Sequence, residues 1–387
     1  MVSNKLQGVE LYMYNICVIG GGNRISSLVD NLGKKEGFNV TGLCDPKGKD
    51  ALLVEYFPDI NLYTDAEEMI EKEKPDGIFI GTRCSLHTHY ALLCAKHGIP
   101  MFLEKPVCTN DEDKEKLKTI LHMNDKTVVS FPLRPSAIVE LVKTIVSEGK
   151  LGELSQVQAY NNVPYGRGYY HKWYRDENET AGMFMQKSTH DFDYINYILD
   201  EAPIRICAMK SKQIFKGDMP EGLKCADCPK QDECSESPKN VSSYGDPFII
   251  GEYCCFAKDT GNEDSGSAIV EYESGLHMVY SQNFVARKGA KKRGARFIGY
   301  LGTLEFDFYT GVINIYYHNE QRVETHTFDL TGNHFGGDTR LVDNFADVVA
   351  GKDISHANLR SGILSAAMCL GAKKSSEEKV FCDIERI

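Results

Sequence analysis

Residues 14–24 read Tyr-Asn-Ile-Cys-Val-Ile-Gly-Gly-Gly-Asn-Arg, an apolar run that stops in glycines and then turns polar. The run at 14–19 is short and continuous, the pattern of a strand buried on both faces. From the glycines to about residue 33 the pattern is helical. Strand, glycine turn and helix in that order are the setting a dinucleotide site requires. Gly20 permits the tight turn. Gly22 lets the backbone approach a pyrophosphate seated on the helix N-terminus, with Asn23 and Arg24 beside it. The usual third glycine is missing, because Ile25 stands in its place. The competing reading is a tight turn that binds nothing.

Beyond this turn, apolar runs at 38–44, 76–80, 99–103 and 127–131 predict further strands. Helical patterns fall between them at 48–57, 65–72, 86–97 and 110–122. Strands alternating with helices predict a doubly wound parallel sheet, which binds its ligand at the carboxyl ends of the strands. The second strand ends in Cys44-Asp45-Pro46. Asp45 lies near the place, about 20 residues on, where an acid bonds the ribose hydroxyls of NAD. An acid there repels a 2′-phosphate and favours NAD over NADP, although Lys47 and Lys49 weaken the preference. The strand at 99–103 runs into Glu104-Lys105-Pro106. Lys105 then points at the cofactor crevice, with Glu104 placed to orient it. Partial desolvation beside a polarised nicotinamide lowers a lysine pKa and lets it exchange protons with a substrate hydroxyl.

The chain of 387 residues has room for two domains. Hydrophobic residues at 42% and charged residues at 26% exclude wholesale disorder. A net charge of −11 gives no general attraction to phosphate backbones or anionic lipid, so neither nucleic acid nor membrane is expected as a partner. No apolar run approaches the roughly 18 residues of a membrane span. The amino terminus carries no apolar block of signal-peptide length. A cytoplasmic location is the expectation, with the 13 cysteines as free thiols or metal ligands rather than a disulfide framework.

After Phe131-Pro132 the pattern changes. A Rossmann domain over 1–131 and an α+β domain over 132–387 are expected, the latter for substrate binding and oligomerisation. A helix at 137–148 precedes a strand near 154–162. Segments 247–256, 266–274, 276–286, 295–300, 303–308, 312–317 and 323–328 are rich in β-formers. Closing helices are expected near 338–350 and 357–374, with the option of packing back on the first domain. The stretch 165–193 holds Tyr165, Arg167, Tyr169, Tyr170, His171, Trp173, Tyr174, Arg175, Lys187, His190 and Asp193. Aromatic rings with interleaved donors suit the faces and hydroxyl edges of a sugar. A cysteine-rich insert near 213–246 carries Cys225, Cys228 and Cys234, with Cys254 or Cys255 further on. Cys225, Cys228, Cys234 and Cys254 fit tetrahedral structural zinc. An iron–sulfur cluster or free thiols are the alternatives.

The opening turn, Thr82 with Ser85-Leu86-His87, and Glu104-Lys105-Pro106 together resemble the glucose–fructose oxidoreductase, inositol dehydrogenase and rhizopine catabolism (Gfo/Idh/MocA) family. The resemblance implies a carboxyl-terminal domain built on an open, mostly antiparallel sheet, and a homo-dimer or homo-tetramer formed through it. It implies NAD-dependent oxidation or reduction of a sugar, polyol or sugar derivative, with Lys105 as acid/base and His190 as its partner or relay. Thr82, His87, Trp173 and Arg175 join Gly20, Gly22, Asn23, Arg24, Asp45, Glu104 and Lys105 on the cofactor side. Arg167, Tyr170, Lys187, Asp193 and His334 fall on the substrate side. Many relatives carry an aspartate four residues before the histidine. Here that position is Gln186, which cannot take a proton, so an aspartate-assisted mechanism does not transfer; Lys187 next to it is a candidate substrate-side group whose side chain could equally face solvent. Two other readings stay open: redox-neutral glycoside cleavage through transient oxidation and elimination, and a non-catalytic NAD-binding sensor.

Overall fold

The structure, a computed structural model, describes residues 12–241, 251–329, 331 and 333–387. The chain forms two compact units. One comprises 1–108, 112–132 and 338–362; the other comprises 109–111, 133–337 and 363–387.

The first unit is built on a six-stranded sheet of order β3-β2-β1-β4-β5-β6. Its strands are β1 Tyr14–Ile19, β2 Phe38–Cys44, β3 Asn61–Tyr63, β4 Gly77–Ile80, β5 Met101–Leu103 and β6 Thr127–Val129. Every neighbouring pair is parallel. Ile16–Ile19, Ile78–Ile80 and Met101–Leu103 are fully or almost fully buried, as continuous apolar strands of a doubly covered sheet must be. The helix Asn23–Gly33 turns Ile25, Leu28, Val29 and Leu32 inward. Late in the chain, the helix Gly337–Val349 brings Phe345 edge-on to Phe79 and Phe102, at 4.8 and 5.8 Å. The helix expected over 48–57 is interrupted: a single turn at Gly48–Asp50 precedes a short helix Leu53–Tyr56. Strand β3 escaped the sequence pattern because it is three residues long, with Asn61 and Leu62 exposed at the sheet edge.

The second unit carries a nine-stranded sheet of order β14-β13-β12-β11-β7-β10-β9-β8-β15. The strands are β7 Leu154–Asn162, β8 Pro203–Ser211, β9 Ser265–Tyr272, β10 His277–Asn283, β11 Lys292–Gly299, β12 Gly302–Asp307, β13 Val312–Tyr317, β14 Val323–Thr327 and β15 Cys382–Asp383. Only β7 and β10 pair in parallel; the other neighbours are antiparallel. The helix Thr189–Leu199 lies on one face, with Phe192 against Tyr280 at 5.1 Å and Tyr194 against Phe306 at 6.0 Å. The other face displays Met209, Ile269 and Val279. The α/β architecture read from the sequence, a doubly wound parallel sheet joined to an open, mostly antiparallel sheet, is what the chain forms.

One expected strand requires correction. Of 247–256, residues 247–250 lie outside the described residues, and 251–256 form only an isolated bridge, Tyr253 to Lys224. Its aromatic residues fill loop packing rather than a ladder. Conversely, β8 was missed. It opens with Pro203 and carries Arg205 and Lys210, yet it pairs along its whole length with β9. No helix among the described residues is long and apolar enough to cross a membrane.

Candidate active site

The glycine turn is held at Gly20 and Gly21 and left open at Gly22. Gly20 has φ +88, and a Cβ there would lie 2.7 Å from the backbone of Gly81. Only glycine meets both conditions. The Gly21 N–H donates to Asp45 Oδ2 at 2.7 Å, while Asp45 Oδ1 accepts from the Lys47 N–H at 2.8 Å. Asp45 therefore clasps the end of β1 to the end of β2. Gly22 differs: its φ is −77, and a Cβ there would meet nothing within 4 Å. Gly22 and Asn23 are exposed, and the helix N-terminus behind them offers its free N–H groups to an anion.

The missing third glycine has a physical replacement. A Cβ on Gly81 would lie 2.6 Å from the Ile25 Cβ. The close approach of helix to strand is thus made by removing the side chain from the strand side. Sequence reasoning missed Gly81, although a glycine directly after β4 and level with Gly20 was legible there.

At the end of β5, Glu104 is buried and accepts from Arg24 Nε at 3.3 Å and from the Ser130 hydroxyl at 2.9 Å. The Arg24 guanidinium also makes a bidentate pair with Asp338, both contacts at 2.7 Å. Arg24 is thereby committed to two carboxylates, which corrects its reading as an open cofactor ligand. Asp338 sits inside the first turn of its helix and holds this pair. Lys105 is half-buried, and the bond to Pro106 is cis. The His87 ring is buried between two loops. Its Nδ1 is 2.7 Å from the Pro106 carbonyl and its Nε2 3.3 Å from the Thr82 carbonyl. Burial pushes its pKa down, and a ring nitrogen carrying a proton can donate to either carbonyl, the shorter contact being the one to Pro106. His87 therefore positions the turn rather than offering a ring nitrogen to a ligand. The Thr82 hydroxyl donates to the Arg83 carbonyl at 3.1 Å.

In the second unit several expected site residues prove structural. Tyr170 is fully buried, stacks on Phe215 at 4.1 Å and donates its hydroxyl to the Glu263 carbonyl at 2.7 Å. It belongs to the core, not to a sugar-binding face. Asp193 is buried and ion-paired through both oxygens with Arg134, so it too is withdrawn from substrate. Arg175 is buried against Asp259 and the Thr260 hydroxyl and holds that loop. Half-buried Trp173 stacks on Tyr174 at 3.8 Å. Arg167 faces Glu236, with Nε 3.6 Å from the carboxylate. Gln186 is buried and donates to the Thr180 carbonyl at 3.1 Å, an anchoring role that an amide fills. His334 is exposed, at φ +48 in a left-handed turn with Phe335 and Gly336.

The stretch Phe184–Ser188 is a π-helical turn, a feature frequent at functional sites. It carries Lys187, whose Nζ donates to the Tyr165 hydroxyl at 2.7 Å and lies 4.5 and 5.0 Å from the Tyr165 and Tyr169 ring centroids. His190 comes in the first turn of the next helix, largely buried. Beneath them Asp191 is fully buried and accepts from Asn161 Nδ2, the Tyr280 hydroxyl and Arg293 Nε, each at 2.8 Å. Burial opposes the Arg293 charge, but Asp191, Tyr165 and Tyr194 outweigh it and raise its pKa. The pairs Arg293–Asp191 and Lys187–Tyr165 had no local spacing to reveal them, since their members lie on distant segments.

Residues 14–131 match the oxidoreductase family with an NAD-binding Rossmann fold (GFO_IDH_MocA), and residues 139–305 match the GFO/IDH/MocA C-terminal domain. The protein YteT of Bacillus subtilis (strain 168), named only as an oxidoreductase, is 25% identical over 393 residues, spanning 88% of this chain and 90% of YteT. The inositol 2-dehydrogenase of Rhizobium meliloti (strain 1021) is 27% identical over 146 residues, covering 36% of this chain and 42% of its own. The solved structure of levoglucosan dehydrogenase in complex with NADH and levoglucosan superposes with a TM-score of 0.74 at 15% identity. It covers 96% of this chain and 99% of that one, a likeness of fold. With both of its family domains matched in order along the chain, this protein belongs to the Gfo/Idh/MocA family of NAD-binding oxidoreductases.

Proposed function

We propose that this chain is an NAD-dependent dehydrogenase of a sugar, polyol or related carbohydrate derivative, with Lys105 as its acid/base. The observation that carries the reading is the glycine turn: a positive-φ Gly20 packed against Gly81, an Asp45 clasp, and an open, exposed Gly22 at a helix N-terminus. Gly20, Gly22, Asn23 and Asp45 would hold the dinucleotide. When bound, NAD supplies the hydride acceptor for a carbinol carbon. Lys105, at the carboxyl end of a parallel strand, takes the hydroxyl proton. In the second unit, His190 and the Lys187–Tyr165 pair are the donors proposed for substrate hydroxyls. Relatives named for inositol and levoglucosan support a polyhydroxylated substrate. The Asp45 carboxylate disfavours a 2′-phosphate, hence NAD before NADP. Assembly as a homo-dimer or homo-tetramer is proposed through the sheet face that displays Met209, Ile269 and Val279.

The test records NADH absorbance with NAD or NADP and a panel of free sugars, polyols, sugar acids and aryl glycosides, while aglycone release is recorded in parallel. Net NADH formation with one compound class, faster with NAD, is expected. Aglycone release over a flat NADH trace would replace this reading by redox-neutral glycoside cleavage. NAD binding without turnover in either channel would leave a sensor.

Gly22 gives a sharper check on the cofactor side. A Cβ there meets no protein atom within 4 Å and no unfavourable φ, so Gly22→Val is expected to fold and to lose no more than the roughly 1 kcal/mol of a poorer helix N-cap. It would nevertheless stand where the pyrophosphate must approach. A rise in the NAD dissociation constant of about tenfold or more, or ~1.4 kcal/mol, is expected in a fluorescence titration. Unchanged affinity would remove Gly22 from the cofactor cradle.

A further inference from the structure

The segment 213–241 takes no part in the proposed dehydrogenase chemistry, and its cysteines call for a different explanation. Its regular structure amounts to a single turn at Cys225–Asp227 and a short helix Pro238–Val241. Apart from cysteine, the apolar side chains it buries are Phe215 and Val241, too few to hold so long a loop by packing. Polar contacts shape it instead. Asn240 Nδ2 donates to the carbonyls of Gln231, Asp232 and Cys234, at 3.3, 3.1 and 2.9 Å. The Cys228 N–H donates to the Cys225 carbonyl at 3.2 Å, folding the Cys-x-x-Cys pair into a compact turn.

The backbone brings a distant cysteine to that turn. Lys224 and Tyr253 form an antiparallel bridge. The Cys225 N–H donates to the Glu252 carbonyl at 2.7 Å, and the Cys254 N–H donates to the Leu223 carbonyl at 2.8 Å. Cys225 and Cys254 each come directly after a bridge residue, so both side chains take the face opposite Lys224 and Tyr253. Cys228, Cys234 and Cys254 all lie in the neighbourhood of Cys225, and Cys228 and Cys234 in that of Cys254. Cys225 and Cys254 are buried, whereas Cys228 and Cys234 are half-buried.

Cys255 is separate. It packs in the apolar cluster of Val163, Tyr170, Met183, Phe215 and Phe284. With His171 and Glu236 it forms a set whose ligand atoms all lie within 4.8 Å of one another. That set is a poor cation site, because Arg167 and Arg287 approach the Glu236 carboxylate to 3.6 and 3.7 Å and already neutralise it. The four other sulfurs are more widely spaced than this set, so taking up an ion requires them to close inward upon it.

We propose that Cys225, Cys228, Cys234 and Cys254 bind zinc as a closed tetrathiolate site that fastens the segment 213–241 to the chain around 252–256. Four thiolates in tetrahedral array satisfy zinc and leave no position for substrate, so the role is structural. Binding releases the thiol protons to solvent and transfers no electrons. The consequence for the second unit is local: Glu236, two residues beyond Cys234, is held under Arg167, His171 and Arg287.

The test uses the full chain, purified under reducing conditions without chelator and then supplied with zinc. Metal analysis should find about one zinc per chain. A mercurial reagent should release it. Cobalt(II) in its place should show the intense thiolate charge-transfer bands of a tetrahedral site. Cys228→Ser should lose the metal, while Cys207→Ser, in strand β8, should keep it. Retention of full zinc by Cys228→Ser would overturn the assignment. So would a metal-free preparation after zinc supply, a disulfide found among these four cysteines, or the iron and sulfide of a cluster. Should Cys228→Ser fail to fold, the cobalt spectrum of the unaltered chain decides: thiolate bands support the site, and their absence rejects it.

Discussion

Lys105→Ala is expected to lower kcat by about 10²–10⁴-fold, the range that a positioned acid or base contributes. The side chain is half-buried at the end of β5, next to a turn held by the His87 ring, and removing it leaves that bond intact. The melting temperature and the NAD dissociation constant should therefore change little. The loss should fall on kcat rather than KM, as it does when an interaction made in the transition state is removed. Partial rescue by added primary amines would mark the missing group as a proton acceptor. A loss smaller than about tenfold would assign the proton to another group, and the Lys187–Tyr165 pair is the next to examine.

Asp191→Ala is expected to destabilise the second unit by about 3–5 kcal/mol, the cost of leaving a buried charge without its partner. Asp191 is the acceptor for Asn161, Tyr280 and Arg293, and all of these groups are buried. Truncation strands the Arg293 guanidinium in the interior. The double variant Asp191→Leu/Arg293→Met, which removes both charges, should recover much of the loss. Denaturant unfolding of the single and double variants measures the difference through the midpoint, provided the slope is unchanged. A single-variant loss below about 1 kcal/mol would mean that water reaches this network.

The inner strands of the first unit were readable because burial on both faces writes itself into consecutive apolar residues, as in Gly77–Ile80 and Met101–Leu103. Tyr14–Ile19 and Phe38–Cys44 agree with the expected limits to the residue. Strand β8 was not readable, since its arginine and lysine hide the alternation that pairing with β9 imposes.

Within the site, the sequence by itself determined which chemistry is present: the glycine turn, Asp45, Lys105 and the aromatic tract. These depend on residue type and on short spacings along a chain whose local conformation is known. Only the tertiary structure decided which of these groups are still open to a ligand. Arg24 is taken by Glu104 and Asp338, Asp193 by Arg134, and Tyr170 by the core. The same structure replaced the absent third glycine by Gly81 and brought Lys187 to Tyr165. The physical reason is that charged and aromatic side chains are claimed by whichever partner desolvates them first. Those partners, as with Arg24 and Asp338, are set by the fold and not by distance along the chain.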